Sequence, residues 1–168
     1  MQPDQATFLL NYLLPAIETE TAITVKVIAA IPEDKRDYKP AEKSRTAMEI
    51  AWHIVSSEVW FLEGLATCQF GAEAERPAGV DTVAGVLAWY SEKLPPALEK
   101  VKAIPAEKLA ANTPFFGILN EPLVAYLSML TVHSVHHRGQ LSAFLRPMGA
   151  KVPDIYGGSA DEPFQPPA

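Results

Sequence analysis

Four histidines carry the most chemistry in this sequence: His53, and then His133, His136 and His137 close together. Residues four apart on a helix share a face, with Cβ atoms roughly 5–6 Å apart. His133 and His137 have that spacing, so their imidazoles can turn toward one ion at metal–nitrogen bonds of about 2.0–2.1 Å. His53 lies on an earlier helical segment, on the same side as Ser57, Trp60 and Gly64, and offers a third nitrogen. An imidazole on an apolar face must find a partner or lose roughly 1–3 kcal/mol to desolvation. One ion would satisfy several at once; the competing reading makes these histidines hydrogen-bonded core residues.

The neighbours admit further roles. Tyr126, Leu130, Gln140 and Phe144 share the face of His133 and His137. Gln140 either orients a water on the ion or holds a helix contact, and Tyr126 is a second candidate polar group near the open position. His136 projects beside that face and reads as a neighbouring or interface histidine rather than a fourth ligand. Glu49, one turn before His53, is a partner for it or simply part of a helix cap. Trp60 and Phe144 read as core packing. Gly64 costs helix propensity, which points to a close approach of backbone or ligand.

Several chemistries are excluded. A metalloprotease helix needs Glu directly after its first His as general base, and that position is Ser134. Di-iron bundles need Glu three residues before His on two helices, a pattern missing here. Cys68 is the only cysteine, which rules out an internal disulfide and a thiolate cluster. The net charge of −6 and the lack of a dense Lys/Arg cluster argue against nucleic acid. No apolar run approaches the roughly 20 residues of a membrane helix, and Asp4 stands where a signal peptide would be basic. With a pI near 5.2, the expectation is a cytoplasmic protein.

The elements that must position the histidines are helical. With 168 residues, 48% of them hydrophobic, the chain can bury a core as a single domain. A first helix is expected from about Asp4 to Ala30, with Phe8, Tyr12, Ala16, Ala22, Val25 and Ala29 at helical spacing and a bend at Pro15. A second runs from Thr46 to Cys68, where Thr46 and Glu49 form a capping-box pattern ahead of Ile50, Ile54, Phe61 and Leu65. A third runs from about Asp81, its expected cap, to Val101 and carries Val83, Val86, Leu87, Tyr90 and Leu94, and Pro95-Pro96 should break or kink it. The fourth begins with Asn120 as cap and ends near Arg146 and Gly149. No stretch sustains two-residue alternation, so the fold class is all-α, a helix bundle. The polar, Pro-rich stretch from Asp161 to Ala168 reads as a tail.

The string His133-Ser-Val-His-His-Arg-Gly-Gln140, with Leu141 and the ending Leu145-Arg-Pro-Met-Gly149, closely resembles the signature of the DinB family. So do Ala51-Trp-His53 with Glu58-Val-Trp60-Phe, and the stretch from Val152 to Glu162. The resemblance spans nearly the whole chain. It implies a four-helix bundle of the DinB type, often a homodimer, with one divalent metal on three helical histidines. At the matching positions these are His53, His133 and His137. Nickel and zinc are the foremost ions, since imidazole ligands suit several metals alike.

The expected function is a metal-dependent enzyme acting on a small molecule. Thiol-dependent S-transfer or a related hydrolysis comes first, because relatives in the superfamily use low-molecular-weight thiols. Three protein ligands leave a coordination position open, the catalytic pattern. The alternative is a non-catalytic metal-binding or stress-response interaction module, favoured by the lack of an evident general base beside the histidine pair.

Overall fold

A computed structural model describes residues 1–166; of the expected tail, Pro167 and Ala168 lie outside the described residues. The chain is predominantly helical. Its long helices are α1 (Pro3–Ala29), α2 (Ala47–Thr67), α3 (Val83–Lys102) and, beyond the short α4 (Ala106–Ala110), α5 (Tyr126–Leu145). Between α4 and α5 lies an antiparallel hairpin of β1 (Asn112–Phe115) and β2 (Leu119–Pro122).

That hairpin adds a small two-stranded sheet to the expected all-α fold. Its four pairs run from Asn112 opposite Pro122 to Phe115 opposite Leu119. The turn uses left-handed backbone at Phe116 (φ 49°) and Gly117 (φ 70°). Most of its residues face solvent on both sides, so no alternating pattern marks it. The same segment corrects the start of the last helix. Asn120 belongs to β2 rather than serving as a cap, and α5 begins at Tyr126 after a single 3₁₀ turn, Leu123–Ala125. At the other end Gly149 adopts φ 78° and supplies the expected stop.

α2 starts as its sequence predicts. The Glu49 amide donates to Thr46 Oγ1 at 3.1 Å, and the Thr46 amide donates to the Glu49 carboxylate at 2.7 Å. Ile50, Ile54, Phe61 and Leu65 are all buried. α3 is capped by Thr82, whose hydroxyl accepts from the Gly85 amide at 3.0 Å, and not by Asp81. It also runs through Pro95-Pro96 to Lys102. Both prolines are exposed while Leu94, Ala97, Leu98 and Val101 are buried, so core burial holds the helix together where the ladder lacks two donors.

α1 buries a different face from the expected one. Phe8, Tyr12, Ala16, Ala22, Val25 and Ala29 are exposed, whereas Ala6, Leu10, Leu14, Ile17, Thr24, Val27 and Ile28 face the core. This helix carries apolar residues nearly all round, so periodicity offered two stripes, and packing chose the one rich in Leu and Ile. The helix is continuous across Pro15.

α2 packs on α3 and α5, and α1 on α5, α4 and α3, around one apolar core. Arg138 of α5 is 1% exposed yet fully used. It donates to the Glu20 carbonyl at 2.9 Å and Thr24 Oγ1 at 3.2 Å, and also meets the Glu20 carboxylate and the Tyr156 hydroxyl. A buried cation needs such pairing. The network ties α1 to α5 and pins the C-terminal segment, where Asp161 also binds Arg146 and the Val152 amide. No helix among the described residues is long and apolar enough to cross a membrane.

Candidate metal centre

α2 supplies His53, and α5, packed against it, supplies His133 and His137. His53 Nε2 lies 3.2 Å from His137 Nε2 and 3.2 Å from His133 Nε2. One ligand nitrogen from each residue falls within 4.8 Å of the others. Nitrogens at about 2.0–2.1 Å from a tetrahedral ion would stand roughly 3.3 Å apart, close to what the rings show. All three are half-buried, at the margin of the core rather than in its depth.

Tautomers sharpen the case. His137 Nδ1 donates to Gln140 Oε1 at 2.8 Å, which leaves Nε2 of that ring with its lone pair. His53 Nδ1 faces Ser57 Oγ at 3.3 Å, and Ser57 in turn reaches Glu73 Oε1 at 3.5 Å. With the serine proton directed to the carboxylate, His53 donates from Nδ1 and its Nε2 is also a lone pair. Two lone pairs at 3.2 Å repel unless a cation lies between them. His133 Nδ1 is buried and has no partner. Hydrogen bonding inside the cluster does not resolve this, because a single N–H serves only one of the two contacts at His53 well. A divalent ion among the three Nε2 atoms removes the lone-pair repulsion and satisfies those nitrogens, leaving only His133 Nδ1 unpaired, so the residues fit a metal.

The electrostatics agree. Burial pushes His53 down to about 4, helped by the positive charge of Arg45 and by the neighbouring rings. Burial likewise takes His133 to about 4, with His137, His136 and Arg45 adding to it. His137 is also lowered, chiefly by burial, while its bond to Gln140 opposes the shift. The rings are therefore neutral at physiological pH, the form a metal needs.

Beside a cavity of about 560 Å³ that His133 and His136 line with Phe61, Met129 and Val132, two more border the cluster. One of about 500 Å³ is lined by Arg45, Glu49, His53 and Glu73 among others. The other, about 480 Å³, is lined by Arg45, Ile50, His137, Gln140 and Phe144.

The other expected residues divide. Gln140 is at the site, acting on His137 Nδ1. Tyr126 is buried, donates its hydroxyl to the Thr113 carbonyl at 2.7 Å and accepts from the Glu121 amide at 3.3 Å. Its polar contacts thus go to the hairpin. His136 is exposed, with its ring 4.8 Å from that of His137, and is not among the converging nitrogens. Glu49 is committed to the α2 cap. Trp60 packs on Phe61 and Phe70 and donates to the Gly71 carbonyl. Gly64 has the close approach its position suggested: a Cβ there would stand 2.5 Å from the Phe70 ring. Sequence reasoning missed the roles of Ser57, Glu73 and Arg45. Glu73 sits in an aperiodic loop and Arg45 before a helix cap, so neither spacing nor pattern marks them.

Comparison with known proteins decides the family. The DinB family profile matches residues 5–166. The chain belongs to the DinB family. Its relatives in Bacillus subtilis (strain 168) include the uncharacterized protein YjoA, 29% identical over 140 residues, covering 83% of this chain and 90% of that protein. Another is the uncharacterized protein YrdA, 26% identical over 156 residues, covering 91% of each. A solved DinB-like protein from Bacillus cereus ATCC 10987 superposes with a TM-score of 0.74 at 25% identity, over 86% of this chain and 95% of that one. The DinB-like YjoA structure from Bacillus subtilis gives 0.69 at 23% identity, over 86% and 96%, a likeness of fold. In this DinB chain, then, the family's signature string in α5 brings His133 and His137 to the cluster and buries Arg138 behind it.

Proposed function

We propose that this DinB-family chain is a metal-dependent enzyme, a single four-helix-bundle domain that holds one divalent ion, nickel or zinc, on His53, His133 and His137. The reaction we assign is thiol-dependent S-transfer, or a related hydrolysis, on a small molecule. The observation that carries the reading is three imidazole nitrogens converging beside open cavities. An ion there would act as a Lewis acid that makes a thiol or water in its remaining position more acidic. The protein does the rest. Gln140 and the Ser57–Glu73 pair hold two rings in the ligating tautomer. Glu73, on the wall of the cavity that His53 lines, is placed to take a proton from a ligand entering there. Gln140 and Tyr126, expected at the open position, act here as positioning residues, the first on His137 and the second on the hairpin.

A non-catalytic metal-binding or stress-response module would be served by a closed site, and the two cavities argue against it. For the acidic chain with one cysteine we infer a cytoplasmic setting, and for the exposed Phe8 and Tyr12 rings, stacked at 6.4 Å on α1, a homodimer contact. Sedimentation of the F8A/Y12A variant beside wild type checks the latter.

The deciding experiment is metal content by mass spectrometry on untagged protein, wild type beside His137→Ala. The reading expects about one divalent ion per chain, lost in the variant. Wild type without metal, and without uptake from added zinc or nickel, refutes it.

A further inference from the structure

We propose that Arg45 anchors a monoanionic group, a carboxylate, on the small molecule that reaches the histidine cluster. The inference rests on the ligand-binding reading above and goes beyond it by naming the charge class of the ligand.

Arg45 lies immediately before the α2 cap and lines both cavities, the one that His53 shares and the one that His137 shares. Its guanidinium makes no ion pair among the described residues, and neither do Lys43 and Arg76, which line the first cavity with it. Of the three carboxylates of that cavity, Glu49 accepts the Thr46 amide and Glu73 faces Ser57, while Glu75 pairs with none of the three cations. An acidic chain of net charge −6 thus keeps three cations without an ion pair, among the described residues, along the lining of this cavity. Lys43, Arg45 and Arg76 stand against Glu49, Glu73 and Glu75, so the first lining is balanced, while in the second cavity Arg45 is the only acidic or basic side chain besides His137, and its single positive charge matches a monoanion and disfavours a phosphate dianion.

Arginine presents a planar fork that pairs with a carboxylate through two parallel hydrogen bonds, and it stays charged throughout the physiological range. The charge of Arg45 is felt by all three imidazoles, which agrees with its place beside the cluster.

The test uses cobalt(II)-loaded protein and two thiols of nearly equal size, 3-mercaptopropionate and 2-mercaptoethanol. Thiolate-to-metal absorption reads binding, and calorimetry with propionate and with inorganic phosphate reads anion binding without a thiol. Wild type should bind the carboxylate thiol about tenfold more tightly than the neutral one, as one charge-assisted pair at a solvent-open site gives. In Arg45→Gln that preference should shrink to within about twofold, Arg45→Lys should restore part of it, and added salt should weaken it. Equal cobalt content and melting temperature establish that the variants are folded.

No charge preference in wild type, or an unchanged preference in Arg45→Gln, overturns the proposal and leaves thiol chemistry standing. Propionate binding that depends on Arg45, with no thiolate absorption from either thiol, supports the anchor and refutes the thiol reading. Tighter binding of phosphate than of propionate overturns the monoanion assignment. Binding of none of the probes overturns both.

Discussion

Replacing Ser57 by alanine, beside Gln140 by leucine, separates the two bonds that hold the ligating tautomers. Gln140 accepts from His137 Nδ1 at 2.8 Å but is exposed, so water can take its place when the amide is gone. Losing a partner of a metal-ligating histidine typically lowers affinity about 10–100-fold, and Gln140→Leu should fall at the lower end, about tenfold. Ser57 is 1% exposed and makes a longer contact of 3.3 Å with His53 Nδ1. No solvent reaches that position, so Ser57→Ala leaves a buried N–H unsatisfied at roughly 1–3 kcal/mol. The ring escapes that cost by moving its proton to Nε2, and there it blocks the metal. Ser57→Ala should therefore lose more affinity than Gln140→Leu, by up to about 100-fold, although its bond is the longer of the two. Zinc titration against a chromophoric chelator measures both, and long-range 15N–1H spectra of the apo imidazoles read the tautomers directly. The reasoning is refuted if both variants bind zinc within about twofold of wild type, or if Gln140→Leu is the weaker binder.

Further outcomes follow from the same structure. Glu58 is buried against Tyr90, and burial raises its carboxyl above the ordinary range. Its folded state thus holds the proton more tightly than the unfolded chain, and stability falls as pH rises through the folded value. Glu58→Gln should match wild type near pH 4 and gain on it toward pH 8. Each tenfold difference in proton affinity is worth about 1.4 kcal/mol, or about 3–6 °C in Tm for a chain of this size; a gap that does not widen with pH refutes this. Gly64→Ala should destabilise by roughly 1–3 kcal/mol in urea, since its methyl would enter the Phe70 ring and outweigh a helix-propensity gain of about 1 kcal/mol. A stabilised variant would show that Phe70 moves freely. Metal should raise stability by linkage, about 2.7 kcal/mol when free zinc is 100 times its Kd, so chelator should lower Tm in wild type and leave His137→Ala unmoved. Thr46→Ala should cost about 1 kcal/mol through the lost α2 cap, measured by the same urea midpoints.

The sequence alone determined what is local and periodic. The capping box of Thr46 and Glu49, the buried stripe of α2, the four-residue spacing of His133 and His137 and the tight place at Gly64 depend on neighbours within a few turns, and periodicity reports such neighbours faithfully. Family membership was legible for the same reason, since its signature is a contiguous string in α5. Tertiary structure decided the rest. Which stripe of α1 turns inward depends on what packs against it, and a helix apolar nearly all round does not say. α3 passes through two prolines because its far side is buried, an energy no local propensity contains. The hairpin exists through pairing across a turn and through Tyr126, whose hydroxyl went to Thr113 rather than to an ion. At the site, 80 residues separate His53 from His133, and only the packing of α2 on α5 brings their nitrogens to 3.2 Å. Glu73 and Arg45 reach the same place from loops, where the chain carries no repeat that could announce them.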